Sequence, residues 1–151
     1  MEKKITINNI AELTIFVKNF LQELNASEKG KDKATVLALS GDLGAGKTTF
    51  VKCLAMELGV EEVVTSPTFT IMKTYETGAG QTFKYLVHMD AYRIDDLEEL
   101  RPLRLAEILS TAETLVVIEW AEKIDRSLPS KVIKMNFEIL SDQIREITFE
   151  M

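Results

Sequence analysis

Residues 34–49 read ATVLALSGDLGAGKTT, and this stretch decides the fold. Its first half is a short apolar run bounded by turn signals, the pattern of a strand buried on both faces of a parallel sheet. Its second half, Gly41-Asp42-Leu43-Gly44-Ala45-Gly46-Lys47-Thr48, satisfies G-x-x-x-x-G-K-[ST] in full. The spacing has a chemical reason. Glycines let the backbone adopt positive φ and bring its N–H groups close to an anion. The helix expected over 48–58 adds the partial positive charge of its N-terminus. Lys47 can then reach the terminal phosphates of a nucleotide, and the Thr48 hydroxyl supplies a hard oxygen for Mg²⁺. The pattern arises by chance at roughly 10⁻⁴ to 10⁻⁵ per position at ordinary residue usage, so strand, loop and helix in this order are a specific signal.

Outward from the loop, the periodicities alternate between strand and helix. Residues 3–7 read as a short strand, with Asn8 or Asn9 as cap of a helix carrying Ile10, Leu13, Phe16, Val17, Phe20, Leu21 and Leu24 on one face. Gly59 is a natural stop for the helix after the loop. Residues 69–75 and 82–89 read as strands joined by a hairpin at Gly78-Ala79-Gly80. Residues 95–109 are helical in character, interrupted at Pro102. Residues 114–118 (TLVVI) form a second buried run, and 131–139 with 144–149 make a hairpin around Ser141-Asp142. No repeat or linker divides the chain. The expectation is one domain over 1–151, an α/β three-layer α/β/α fold of the P-loop NTPase type with a mixed sheet and antiparallel hairpins.

Composition excludes several classes. The 151 residues are enough for one core without staples, and the 46% hydrophobic and 28% charged fractions are those of a globular chain. Eighteen basic against 24 acidic residues give a net charge of -6. An acidic chain is a poor stand-alone nucleic-acid binder, so no direct DNA binding is expected. A single cysteine, Cys53, forbids an intramolecular disulfide framework, and a single histidine, His88, forbids a histidine-rich metal site. With no apolar run long enough to span a bilayer and no apolar signal core, a cytoplasmic protein without membrane attachment is expected.

A phosphate loop needs a second carboxylate for the cation and a group that positions water. Glu119 follows the 114–118 run, where a Walker B acid would stand, and Asp90 follows Tyr85-Leu86-Val87-His88-Met89. Acids at the C-terminal ends of buried strands point into the ligand crevice of α/β sheets, although each taken alone also reads as a solvated strand end. Thr65-Ser66-Pro67-Thr68-Phe69 occupies the chain position of a switch segment, or of a plain turn set by Pro67. Trp120 reads equally as a site residue and as a packing residue. His88 reads first as a satisfied strand histidine and second as a catalyst, and Cys53 as a small packing residue. Arg93 could face phosphate, pair with Asp90 or meet a partner.

Three nucleotide-binding classes compete. A regulatory GTPase is disfavoured, because D-x-x-G is absent and Ala121-Glu122-Lys123-Ile124-Asp125 lacks the asparagine that selects guanine. A small-molecule kinase wants a substrate pocket and an arginine-bearing lid, for which the chain has little room. The third class is a small ATPase that serves a complex, with a nucleotide-gated scaffold that does not hydrolyse as its variant. Four blocks now count together: Gly41 to Thr49 (GDLGAGKTT), Ser66-Pro67-Thr68-Phe69, His88-Met89-Asp90-Ala91-Tyr92-Arg93, and Ile118-Glu119-Trp120-Ala121-Glu122. In this order they resemble the TsaE (YjeE) family, the bacterial ATPases of tRNA threonylcarbamoyladenosine biosynthesis. The resemblance covers about residues 34–150, with Arg145 matching a family arginine.

The resemblance implies ATP as ligand, ADP as product, Mg²⁺ as cofactor, and a TsaB–TsaD complex as partner, with tRNA reached indirectly through that complex. It implies modification of adenosine 37 in tRNAs that read codons beginning with A, with ATPase activity weak in isolation. Asp42, Leu43, Gly44, Ala45, Gly46, Lys47, Thr48 and Thr49 would hold phosphates, with Trp120 shaping the nucleotide site or the subunit contact. Thr48 and Glu119 would hold the metal. Asp90 would orient or activate water, Lys47 would stabilise charge, and Thr68 would make a switch-type contact. Ala91 departs from the family's usual leucine, and residues 9–14, where adenine would lie, match only loosely.

Overall fold

A computed structural model describes residues 1–67 and 69–151. Seven strands form one sheet in the order β1-β7-β6-β2-β5-β4-β3. They are β1 (Glu2–Ile7), β2 (Thr35–Gly41), β3 (Met72–Glu76), β4 (Tyr85–Asp90), β5 (Thr114–Glu119), β6 (Ile133–Ile139) and β7 (Arg145–Glu150). The four central strands run parallel, β6 on β2, β2 on β5 and β5 on β4. Antiparallel pairs flank them: β3 on β4 at one edge, β6 on β7 and β7 on β1 at the other. The sheet is therefore mixed, with both hairpins read from the sequence at its margins.

Strand alternation sorts the side chains onto two faces. Leu37, Leu39, Leu86, Leu115, Val117, Met135 and Phe137 meet α1 (Ile10–Glu28) and α2 (Lys47–Glu57) on the first face. There Phe16, Phe20, Phe50, Phe137 and Phe149 form an aromatic cluster with neighbouring ring centroids 5.5–6.4 Å apart, a spacing that favours tilted and edge-on contacts. Val36, Ala38, Val87, Met89, Val116 and Ile118 face the other way. They are covered by 3₁₀ segments at Leu97–Leu103 and Ala121–Ser127 and by the short helix α3 (Leu105–Leu109). The three layers are thus unequal, two long helices against a thin cover of short turns.

Several boundaries differ from the sequence reading, each for a local reason. Asn9 caps α1 by accepting from the Glu12 amide, and the apolar stripe is buried from Leu13 to Leu24, but Ile10 is exposed at 61%. The strand expected from Phe69 begins at Met72, because Ile71 has φ +67° and its amide bonds back to Pro67, closing a turn. The strand expected from Thr82 begins at Tyr85. The 95–109 stretch opens with a capping box at Asp96 and Glu99, then runs as 3₁₀ with Pro102 inside. Ala121–Ser127 gives no helical signal in the sequence, having no apolar stripe long enough to show a period. Among the described residues no helix is long and apolar enough to cross a membrane.

Candidate functional site

The loop after β2 and the turn after β5 leave neighbouring parallel strands on opposite faces of the sheet. One leads into α2, the other into Ala121–Ser127, which packs on the second face. Connections that diverge in this way open a crevice at the carboxyl ends of the strands, where α/β sheets hold ligands. Gly41, Asp90 and Glu119 end β2, β4 and β5 there, with Asp90 directly opposite Glu119 in the parallel ladder. Strand alternation places Asp90 and Glu119 on the α2 face, so the N-terminus of α2 looks onto both.

The loop itself is shaped by glycine. Gly44 and Gly46 have φ of +80° and +103°, and a Cβ on either would meet nothing within 4 Å. The loop therefore leaves open space beside its backbone, as an oxyanion's approach requires. Lys47, only 4% exposed, donates from Nζ to the Gly41 and Asp42 carbonyls and lies 4.3 Å from the Trp120 ring centroid. Burial pushes the Lys47 ammonium below the usual lysine range, and the carboxylates of Glu119, Glu122, Asp90 and Asp42 oppose that shift. Thr48 donates from Oγ1 to Glu119 Oε1 at 2.8 Å. Glu119 and Asp90 are 3% and 5% exposed. Asp90 Oδ1 accepts from the Tyr92 amide at 2.9 Å, and Ser66 Oγ stands 3.5 Å from Oδ2.

Trp120 holds a left-handed backbone, φ +57°, which turns the chain sharply off the end of β5. Its ring tilts against Tyr92 at 5.1 Å and caps Lys47 from the open side. A desolvated ammonium over an indole face gains about 2 kcal/mol, which offsets part of the cost of burying Lys47. The structure thus brings Leu43, Gly44, Gly46, Lys47, Thr48, Thr49, Asp90, Glu119 and Trp120 to one crevice, and Asp42 meets it through the carbonyl that accepts from Lys47. Leu43 sits at the exposed tip of the loop. Ala45 is buried and its amide is spent on the Asp42 carbonyl, so its contribution is apolar lining. Thr68 lies outside the described residues.

Two clefts meet at the loop. One, of about 280 Å³, is the more polar of the two, with Lys47, Thr48, Ser66, Asp90 and Glu119 set between Leu43, Tyr92 and Trp120. The other, of about 400 Å³, is apolar, lined by Ile7, Ile10, Leu13, Ala45, Phe137 and Ile147, with Asn8, Asn9 and Arg145 at its polar margin. Gly44, Gly46 and Thr49 line both. Arg145 ties the walls together, donating from Nε and a terminal nitrogen to the Gly44 carbonyl at 3.3 Å and from the other nitrogen to the Ser141 carbonyl at 2.8 Å. The sequence reading matched Arg145 but did not place it against the loop, and it left residues 9–14 unassigned. No pattern in the sequence marks Ile10 as a cleft residue; its 61% exposure at the head of the buried stripe emerges only in the fold.

A buried strand, a glycine loop and a helix, with acids ending the neighbouring parallel strands, define an α/β protein of P-loop-like fold. The family described as Threonylcarbamoyl adenosine biosynthesis protein TsaE matches residues 8–147. The chain belongs to this family. Its relatives include the tRNA threonylcarbamoyladenosine biosynthesis protein TsaE of Bacillus subtilis, 44% identical over 76% of this chain and 68% of that one. The protein of that name from Rickettsia bellii is 36% identical over 93% and 90%, and that from Treponema pallidum 39% over 78% and 82%. Among solved structures, that of Bacillus subtilis YdiB superposes with a TM-score of 0.69 at 33% identity, covering 99% of this chain and 84% of that one.

Proposed function

We propose that this chain binds ATP with Mg²⁺ and hydrolyses it to ADP as the nucleotide-driven subunit of tRNA threonylcarbamoylation. The observation that carries this reading is the 2.8 Å contact of Thr48 with Glu119 at the foot of the glycine loop. A hydroxyl and a carboxylate oxygen make a hard pair suited to Mg²⁺, which takes few protein ligands and completes its shell with phosphate and water. Bound Mg²⁺ would neutralise charge on the β- and γ-phosphates.

The chain's own residues supply the rest. The adenine fits the apolar cleft beside Ile10 and Leu13, and the phosphates reach the polar cleft across the loop glycines that line both. Lys47 exchanges its two carbonyl partners for phosphate oxygens, leaving the loop to follow them. Asp90, fixed by the Tyr92 amide, accepts a hydrogen bond from the attacking water and orients it. Trp120 closes the site over Lys47. Leu43, 80% exposed on the lining of the crevice, leaves apolar surface for the TsaB–TsaD complex to cover. The net charge of -6 leaves tRNA to those partners, and the setting is the cytoplasm.

The test is ATP hydrolysis by purified protein, alone and with the TsaB–TsaD pair, with and without Mg²⁺. Mg²⁺-dependent turnover that rises with the pair is the expected result. Neither nucleotide binding nor stimulation by the pair overturns the reading.

A further inference from the structure

His88 is the chain's single histidine, and its side chain is fully buried. It stands on β4 two residues before Asp90, so both project from the α2 face. In the β4–β5 ladder His88 lies beside Val117, and Glu119 is the next residue of β5 on that face. His88 Nε2 is 2.5 Å from Glu119 Oε2, while Oε1 of the same carboxylate takes the Thr48 hydroxyl. A carboxylate only accepts, so Nε2 carries the hydrogen. Nδ1 is buried and has no partner among the described residues. An orphaned buried N–H is rarer and costlier than an unused lone pair, which leaves Nδ1 as the bare nitrogen.

The other buried positions of β4 short of Asp90 are apolar, Leu86 on the face of His88 and Val87 and Met89 on the opposite one. A residue serving only to fill that layer would be cheaper without two ring nitrogens, one of them unsatisfied. We propose that His88 is a positioning residue. Its Nε2–H fixes the rotamer of the Glu119 carboxylate, so that Oε1 stays with the Thr48 hydroxyl where a divalent cation would be held. The role rests on the reading of Thr48 and Glu119 as cation ligands given above. His88 is thus the strand histidine its sequence position suggests, with a site carboxylate as its partner.

The variants are chosen by reach. A glutamine amide nitrogen can occupy the place of imidazole Nε2; leucine offers no donor. Binding of adenylyl imidodiphosphate is measured over a Mg²⁺ series and in EDTA, with folding followed by circular dichroism. His88→Leu is expected to raise the Mg²⁺ concentration at half-saturation about 10- to 100-fold, the usual effect of losing a partner behind a metal ligand, with affinity in EDTA unchanged. His88→Gln is expected to stay near the wild type. A wild-type midpoint in His88→Leu, or a His88→Gln as impaired as His88→Leu, overturns the proposal.

A second measurement needs no variant at position 88. In ¹⁵N-histidine-labelled protein the single imidazole reports its tautomer directly; the Nε2–H form is expected, changed by Glu119→Ala, and the Nδ1–H form overturns the proposal even if the leucine variant fails to fold. Wild-type protein that binds the analogue equally with Mg²⁺ and in EDTA defeats the cation-ligand reading and this role with it. Cation dependence in the wild type with no response to His88→Leu defeats the positioning role alone.

Discussion

Replacing Gly41 by alanine tests how the sheet shapes the loop. Gly41 is the last residue of β2 and pairs with Phe137 of β6. Its φ is +135°, and a Cβ there would stand 2.3 Å from the Phe137 carbonyl oxygen and 3.1 Å from the Phe137 Cβ. That oxygen belongs to strand backbone and cannot swing aside as a side chain does. Gly30 isolates the conformational cost, since it has φ +80° with nothing within 4 Å of its Cβ. Positive φ costs an alanine about 1–2 kcal/mol, and crowding in a packed interior adds about 1–3 kcal/mol. Gly41→Ala should therefore lose about 2–5 kcal/mol and Gly30→Ala about 1–2 kcal/mol. In a domain of this size each kcal/mol moves the melting midpoint about 2–4 °C, so thermal unfolding followed by circular dichroism separates the two variants. The Gly41 carbonyl also accepts from Lys47, so Gly41→Ala should weaken nucleotide binding while Gly30→Ala leaves it intact. A Gly41→Ala midpoint no lower than that of Gly30→Ala would refute the steric argument.

Lys47→Met should keep the fold and lose most nucleotide affinity, measured by calorimetry. Because burial lowers the Lys47 pKa, the unfolded chain binds more protons than the folded one between the lowered value and the ordinary lysine value. Across that alkaline window wild-type stability should rise with pH relative to Lys47→Met while phosphate affinity falls; parallel stability curves for the two proteins would contradict the shift. Asp90→Asn should bind ATP with near-normal affinity and turn it over about 10²- to 10⁴-fold more slowly in single-turnover assays; unchanged turnover would remove Asp90 from the water-orienting role. Arg145→Ala frees the Gly44 carbonyl and loosens one wall of the apolar cleft. It should weaken ADP binding several-fold, and equal binding would show that the loop holds its shape unaided.

Much of the fold was legible because the relevant forces are local. The run at 36–39 is buried in the sheet centre, so its side chains are apolar without alternation, and its continuity marks a parallel strand. The cap at Asn9 and the stop at Gly59 obey rules that involve only a few neighbouring residues. What failed depends on distant partners. The turn through Ile71 exists because its amide meets Pro67 and its carbonyl takes the Asp90 amide. A β-branched residue at positive φ is the last thing a sequence pattern would place there. The unequal layers were legible only in part: residues 95–109 read as helical, yet only Leu105–Leu109 of that stretch is α-helix, and Ala121–Ser127 is too short to show a helical period.

The site divides along the same line. The glycine loop, Asp90 and Glu119 could be named because their chemistry is written in consecutive residues next to strands. Their wiring could not, because it follows from which strands are neighbours. Once β4 is known to run parallel beside β5, the parity of His88, Asp90 and Glu119 sets three polar side chains on one face above Leu86 and Leu115, and α2 delivers Thr48 to the middle of them. The sheet order also brings β7 past β6 to the loop, so that Arg145, about a hundred residues distant along the chain, reaches the Gly44 carbonyl. Buried polar groups of this kind cost stability unless each is answered. Glu119 is answered by Thr48 and His88, Asp90 by the Tyr92 amide, and Lys47 by two carbonyls and an indole face. Each of those answers comes from a different element of the fold, so the charged groups of the crevice can be assembled only when the sheet, α2 and the turn at Trp120 are all in place.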